Sequence, residues 1–306
     1  MAALRLRRAG LLTTVQDLGR PGFGRFGVSV SGAMDRLALV VANRLVGNPD
    51  GAAALELTAS GPEVEILHDL VFALAGANLS PALDGEPIEA WRAHRAGAGR
   101  MLTFGPRRQG ARCYLAVAGG IAVPQVFGSA ATDLGAGIGG LDGRPLRAGD
   151  ELSVGAAPVK PEGQLHPPLL AAWADPFTLR FVPEDGGPCD LASFTSVTWR
   201  VSPRSDRTGY RLDGSTLPVP AAATMISEGI APGTIQLPPD GQPIVLMADR
   251  QTVGGYPRIG AVIAADLPKA AQLWLGHEVR FMPVTLAAAR AALAGQQALL
   301  ARGVTP

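Results

Sequence analysis

Glycine and proline interrupt this chain so often, 39 and 26 times in 306 residues, that few unbroken stretches are long enough for a helix. Both residues supply turns, and their density favours many short strands over a helical bundle. Apolar residues make up 47% of the chain, enough to bury the core of one large domain or two ordinary ones. Lys+Arg 27 against Asp+Glu 26 leave a net charge of +1, with no basic excess of the kind a nucleic-acid footprint needs. Cys113 and Cys189 form no CxxC pair, so neither a disulfide framework nor a cysteine zinc site is supported. No run of ~18 uncharged apolar residues occurs. The apolar run near the start, Leu11-Leu12, is too short for a signal segment. A soluble, cytoplasmic protein is expected.

Strands are expected at Leu4–Arg8, Thr13–Val15, Val64–Leu67, Val71–Ala75, Tyr114–Ala118, Phe177–Val182 and Ser196–Val201. Met34, Leu37, Ala38, Val41 and Leu45 repeat at helical spacing and predict a helix over Ala33–Leu45, with Ser31 as N-cap and Gly47-Asn48-Pro49 as the stop. A short helix is expected from Asp266, with Pro268 in its first turn, and a longer one over Thr285–Arg302. Prolines cluster at Pro158, Pro161, Pro167 and Pro168. The expected division is therefore a first domain at 1–157, a Pro-rich linker at 158–175 and a second domain at 176–306 that carries the C-terminal helix and packs against it. The two domains echo each other: Leu146–Leu152 resembles Leu273–Val279, and Asp84–Ile88 resembles Asp240–Ile244. The offsets differ, so a duplicated β-barrel is suggested without being demonstrated.

Several familiar motifs fail on context. Gly135–Gly140 fits GxGxxG, but the residues that follow contain Pro145 and more glycines instead of a helix, which predicts a glycine-rich β-loop. Lys160 and Lys269, the only lysines, follow no phosphate loop and sit in no biotin-attachment setting. There is no GxSxG, and His277-Glu278 lacks the second histidine of HExxH. The histidines are scattered, and no metal site is expected.

Three loops concentrate polar groups. In the first, Gln16 and Arg20 offer donors while Asp17 and Asp35 offer acceptors, close to the start of the predicted helix. Asp17 and Asp35 suit the capping of local turns equally well. In the second, Ser205-Asp206-Arg207-Thr208-Gly209-Tyr210-Arg211 sets two guanidinium forks and a phenol around a glycine, a pattern suited to a carboxylate or phosphoryl group. In the third, Glu228 or Asp249 suits a general base, Gln236, Gln251 and Thr252 suit an amide, and Gly254-Gly255 would let backbone donors approach an anionic oxygen. Tyr256, beside them, completes the catalytic candidates Asp249, Glu228, Arg207 and Tyr256.

At Thr13–Gly22, Val30–Asp35, Ala42–Asn48, Tyr114–Ile121, Ser205–Arg211 and Asp249–Pro257 the chain resembles the 5-oxoprolinase C subunit, within the family called biotin-dependent carboxyltransferase or allophanate hydrolase subunit 2. The likeness runs from about Leu4 to Phe281, with Val253 standing where a second threonine is expected. The resemblance implies a mainly β chain with a few helices, folded as two cyclophilin-like β-barrel domains in tandem. It also implies two partners from the same enzyme, the B subunit in direct contact and the A subunit completing the reaction. That reaction is the ATP-dependent opening of 5-oxo-L-proline to L-glutamate, with Mg and ATP shared across the assembly. A lactam is a poor electrophile, because its nitrogen donates into the carbonyl. Activation at the amide oxygen would make the carbon open to water, which calls for arginines, an acid–base carboxylate and donors for the substrate. A carboxyltransferase component acting on urea or a related amide, with biotin as cofactor, is the alternative enzyme. A non-catalytic regulatory partner of the B subunit is the alternative outside enzymes.

Overall fold

A computed structural model describes residues 2–156, 164–165, 177–219 and 226–305. Two compact units emerge, and both are discontinuous in sequence. The first comprises Met1–Arg20, Ser31–Ala171 and Leu299–Pro306, and the second Pro21–Val30 and Ala172–Ala298. Of the Pro-rich segment 158–175, only Gln164 and Leu165 fall among the described residues.

The strands of the first unit are β1 (Ala2–Arg8), β2 (Leu12–Gln16), β3 (Ala54–Thr58), β4 (Glu63–Ile66), β5 (Leu70–Asn78), β6 (Pro81–Leu83), β7 (Glu86–Pro87), β8 (Ala93–Ala96), β9 (Met101–Phe104), β10 (Gln109–Val117), β11 (Ile121–Ala122), β12 (Glu151–Val154) and β13 (Gln164–Leu165). Helix α1 (Arg36–Leu45) follows β2. Seven strands run in the order β11-β12-β1-β4-β9-β6-β7 and five in the order β2-β3-β10-β5-β8. One core joins the two sheets, with Leu4, Leu6, Val64, Ile66 and Leu102 from the first and Val15, Leu55, Leu57, Phe72, Leu74 and Leu115 from the second. Helix α1 covers the other face of the five-stranded sheet. Its Ala38, Leu39, Val41, Ala42 and Leu45 pack with Ala73, Ala75, Tyr114 and Ala116. Successive residues of a strand point to opposite faces. Phe72 and Leu74 therefore enter the first core while Val71, Ala73 and Ala75 meet the helix. Burial on both faces is why these strands read as unbroken apolar runs.

The helix begins three residues later than its apolar spacing predicts, and its cap is Asp35 rather than Ser31. Asp35 Oδ1 accepts from Ala38 N at 2.9 Å. Ser31 lies in the left-handed region at φ 52 and donates its hydroxyl to Thr132 O.

The second unit contains β14 (Phe177–Pro183), α2 (Leu191–Thr195), β15 (Trp199–Val201), β16 (Gly209–Asp213), β17 (Glu228–Gly229), β18 (Thr234–Gln236), β19 (Ile244–Leu246), β20 (Val253–Gly254), β21 (Arg258–Val262), α3 (Leu267–Ala271) and β22 (Glu278–Pro283). Seven of these strands close a barrel in the order β14-β21-β18-β19-β16-β15-β22. Closure comes from parallel pairing of β14 with β22, at Phe177↔Val279 through Phe181↔Pro283. Inside, Phe181, Phe194 and Phe281 meet with ring centroids 4.7–6.0 Å apart. Buried Trp199 donates its Nε1–H to Phe194 O at 3.1 Å, so its polar atom is satisfied in the core. Helix α4 (Leu286–Gly303) is followed by β23 (Val304–Thr305), which pairs with β13. Residues up to Ala298 count with the second unit, whereas Leu299–Pro306 count with the first, where Arg44 Nη1 donates to Leu300 O at 2.8 Å.

The mainly β architecture with a few helices is as expected from the turn-rich sequence. The echo between Leu146–Leu152 and Leu273–Val279 is a likeness of turns only. Asp150 N donates to Arg147 O and His277 N to Trp274 O, each leading into a strand. Yet β12 lies antiparallel to both its neighbours, whereas β22 lies parallel to β14. Among the described residues, no helix is long and apolar enough to cross a membrane.

Candidate functional site

In the first unit, β2 delivers Gln16 into a buried loop cluster. Asp17 Oδ1 accepts from Gly19 N and Ser129 Oγ, both at 2.7 Å, and its Oδ2 accepts from Ala130 N at 2.6 Å. The Arg20 side chain is fully buried. It donates to Ala131 O and Val126 O and stands 4.0 Å from Asp133 Oδ2. Gln16 Nε2 donates to Thr132 O at 3.0 Å, while its Oε1 is buried without a partner among the described residues. Below this loop, Tyr114 OH donates to Glu56 Oε2 at 2.6 Å and accepts from Asp35 N at 2.8 Å. Met34 N donates to the same Glu56 oxygen. The Tyr114 phenol is pushed well above its ordinary range, by burial first and then by the charges of Glu56 and Asp35. Asp17 and Asp35 thus serve the loop's own architecture. Their anchors, Ser129, Glu56 and Tyr114, are too distant in sequence for local spacing to reveal them.

The glycine-rich loop packs on the same cluster. A Cβ on Gly139 would overlap Ala131 O, and one on Gly143 would overlap Gly137 O. The glycines at 139 and 143 let backbone meet backbone, and turns follow the loop instead of a helix, so the strand–turn–helix context of a dinucleotide loop is absent.

In the second unit, the structure separates two arginines that look equivalent in sequence. Arg207, before β16, makes a two-pronged pair with Asp249, Nε to Oδ2 at 2.8 Å and Nη2 to Oδ1 at 3.0 Å, with the side chains only 5% and 8% exposed. Asp249 N also donates to Arg207 O. Asp206 turns away from both arginines and caps the turn by accepting from Thr208 N and Gly209 N. Ser205 Oγ exchanges hydrogen bonds with the backbone of Arg211. Along β16, alternation buries Tyr210 and sends Arg211 into solvent.

A second group gathers where β17 pairs with β20. Glu228 faces Gly254 in this ladder, and residues directly opposite in an antiparallel pair share a face. Glu228 Oε1 lies 3.4 Å from Arg258 Nη2, which also meets Glu184 Oε1 at 3.0 Å. Arg258 is opposite Gln236 in register, and Gln236 is buried. A Cβ on Gly254 would stand 2.8 Å from Gln236 Nε2 and 2.9 Å from Gln251 Nε2. Gln236, Gln251, Gly254 and Glu228 therefore come together, with Arg258, which sequence reading missed because it sits alone between apolar neighbours. Thr252 accepts from Ile230 N through its backbone oxygen, Gly255 follows β20, and Tyr256 is exposed. The Arg207–Asp249 pair does not belong to this group by register. Gln236 pairs with Ile244 at one end of β19, whereas Arg207 and Asp249 lie beyond the Gly209↔Leu246 pair at the other. Among the described residues there is no group of three His, Cys, Asp or Glu that could hold a metal ion.

Comparison with known proteins places the chain in a family. Over 303 residues it is 45% identical to the C subunit of 5-oxoprolinase from Escherichia coli (strain K12), covering 96% of this chain and 95% of the relative. It is 39% identical over 281 residues to the protein of the same name from Haemophilus influenzae, covering 89% and 88%. The crystal structure of the K. lactis urea amidolyase matches 98% of this chain with a TM-score of 0.90 at 28% identity, although the match spans 20% of that longer protein. Residues 26–283 match the family described as carboxyltransferase domain, subdomain A and B, and the chain belongs to that family.

Proposed function

We propose that this chain is the C subunit of a 5-oxoprolinase, opening 5-oxo-L-proline to L-glutamate with ATP as co-substrate and with the B and A subunits as partners. The observation that carries the proposal is the near end-to-end match to two proteins of that name. The geometry supports the chemistry. Gln236 and Gln251 bring their carboxamide nitrogens together beside Gly254, and carboxamides are the groups that suit an amide substrate. Glu228 is the better placed general base of the two carboxylates considered, because it is exposed and held by one arginine contact. Both oxygens of Asp249 are taken by the Arg207 fork. On this reading Glu228 takes a proton from the attacking water, Arg258 holds Glu228 in place, and Arg207–Asp249 braces the loop that carries Gln251 and Gly254. Tyr256, at the exposed rim, faces the partner.

The test is reconstitution. The chain alone is expected to show no 5-oxoproline-dependent ATP hydrolysis, and addition of the B and A subunits should yield glutamate, followed by a coupled assay. Turnover by the chain alone, or no glutamate from the full assembly, overturns the proposal. A carboxyltransferase acting on urea with biotin is favoured by the 0.90 TM-score to the urea amidolyase. Biotin-dependent carboxylation of urea by the same assembly would decide for it.

A further inference from the structure

Gln16 is the last residue of β2. Val15 enters the core between the sheets, so alternation sends Thr14 and Gln16 to the α1 side, the face on which Ala54 lies opposite Gln16 and Glu56 opposite Thr14. The orientation of the Gln16 carboxamide is fixed by what it donates to. Its Nε2 gives one hydrogen to Thr14 Oγ1 at 3.1 Å and the other to Thr132 O at 3.0 Å. Reversing the amide would set Oε1 against the Thr132 carbonyl, acceptor against acceptor. Oε1 therefore stays on the other side, where it meets no donor among the described residues, although Gln16 is 0% exposed. Thr14 has the complementary lack. Its hydroxyl accepts from Gln16 Nε2, and the residue is 1% exposed, yet the O–H donates to none of the described residues. Buried polar groups almost always find partners, and where the protein supplies none, internal water does.

We infer that Gln16 and Thr14 hold one buried water molecule, which accepts from the Thr14 O–H and donates to Gln16 Oε1. The distances allow it. The oxygen and nitrogen of a carboxamide are about 2.3 Å apart by covalent geometry, so Oε1 lies no more than about 5.4 Å from Thr14 Oγ1. One water spans two oxygens up to about 5.6 Å apart, at ~2.8 Å for each O–H···O bond. Across the ladder from Gln16 stands Ala54, a single methyl, so no long side chain of β3 fills the place opposite the carboxamide. Glu56, opposite Thr14, offers an acceptor for the second hydrogen of the water, which then has the three partners usual for an internal site. The chemistry of the pair selects the ligand. It must both donate and accept, which water does and an ammonium ion, with donors only, does not. The water completes a joint between β2 and the loop at Thr132, whose carbonyl accepts from both Gln16 Nε2 and Ser31 Oγ.

Two measurements on the full chain test this. A crystal structure of the wild type that resolves ordered water should place one within about 2.6–3.2 Å of both Gln16 Oε1 and Thr14 Oγ1. Oxygen-17 relaxation dispersion counts long-lived internal waters in solution. It should find one fewer in Thr14→Val, which removes the hydroxyl while keeping the shape of the side chain. Thr14→Ser keeps the hydroxyl and should hold the wild-type number. The crystal structure needs no variant, so it decides the question even where Thr14→Val fails to fold. No water at that point, a donor from the protein on Gln16 Oε1, an equal count in Thr14→Val, or a loss in Thr14→Ser matching that in Thr14→Val overturns the inference.

Discussion

Arg207 and Arg211 differ in what surrounds them, and their substitution should differ accordingly. Removing Arg207 strands the buried Asp249 carboxylate, so Arg207→Ala is expected to destabilise the fold by about 3 kcal/mol or more. Arg211 faces solvent, and Arg211→Ala should stay within about 0.5 kcal/mol. Urea unfolding of both variants checks this, and equal losses would contradict it. Cysteine reactivity follows from burial in the same way. The Cys113 thiol lies in the core, where burial pushes its pKa up to about 12. At pH 8 the native protein should leave Cys113 unmodified by iodoacetamide, and mass spectrometry should find it labelled only after unfolding. Cys189, raised by burial and then by Asp190 but half-buried, should be labelled first.

Helix α1 depends on the polar network beneath it. Asp35→Ala removes its N-cap and should cost about 1 kcal/mol. Tyr114→Phe leaves the buried Glu56 oxygen and the Asp35 N–H each short of a partner, at about 1–3 kcal/mol. The Tyr114 phenol also makes stability depend on alkaline pH. Its folded pKa is raised, so its contribution is complete below the unfolded value of about 10 and is lost as pH climbs beyond that, because only the unfolded chain ionises readily. Denaturant titrations from pH 8 to 11 should show a shallower alkaline fall in Tyr114→Phe than in the wild type. The helix itself was legible in the sequence from the stripe of Leu37, Ala38, Val41 and Leu45, and so were β5 and β10 from apolar runs buried on both faces. Helix α2 was not, because five residues carry no helical period and Ser196 ends it where strand signal begins. The true cap was missed for a related reason. Ser31 and Asp35 both have capping side chains, and only the contact of Ser31 with Thr132, a hundred residues away, separates them. The sequence offered Gln236 and Gln251 as residue types that suit an amide, and Gly254 as one that admits backbone donors to an anionic oxygen. Their meeting, and the place of Arg258 beside Glu228, depends on strand register, which no local pattern encodes.

Across the whole molecule, neither unit is a single stretch of chain. Leu300 packs against the buried cluster around α1, and its carbonyl accepts from Arg44. Deleting residues 299–306 should therefore destabilise the first unit, by about 1–3 kcal/mol for the lost contact and hydrogen bond. Calorimetry on the shortened chain should show a lowered transition, and an unchanged one would contradict this. The same arrangement has a bearing on synthesis. A ribosome releases its product from the front end, and domains generally fold in that order as they emerge. Here the front of the chain stays unfinished until residues beyond 298 have been translated and cleared the exit tunnel. A nascent chain stalled earlier would hold an incomplete first half in the open, available to chaperones and proteases for most of its time on the ribosome.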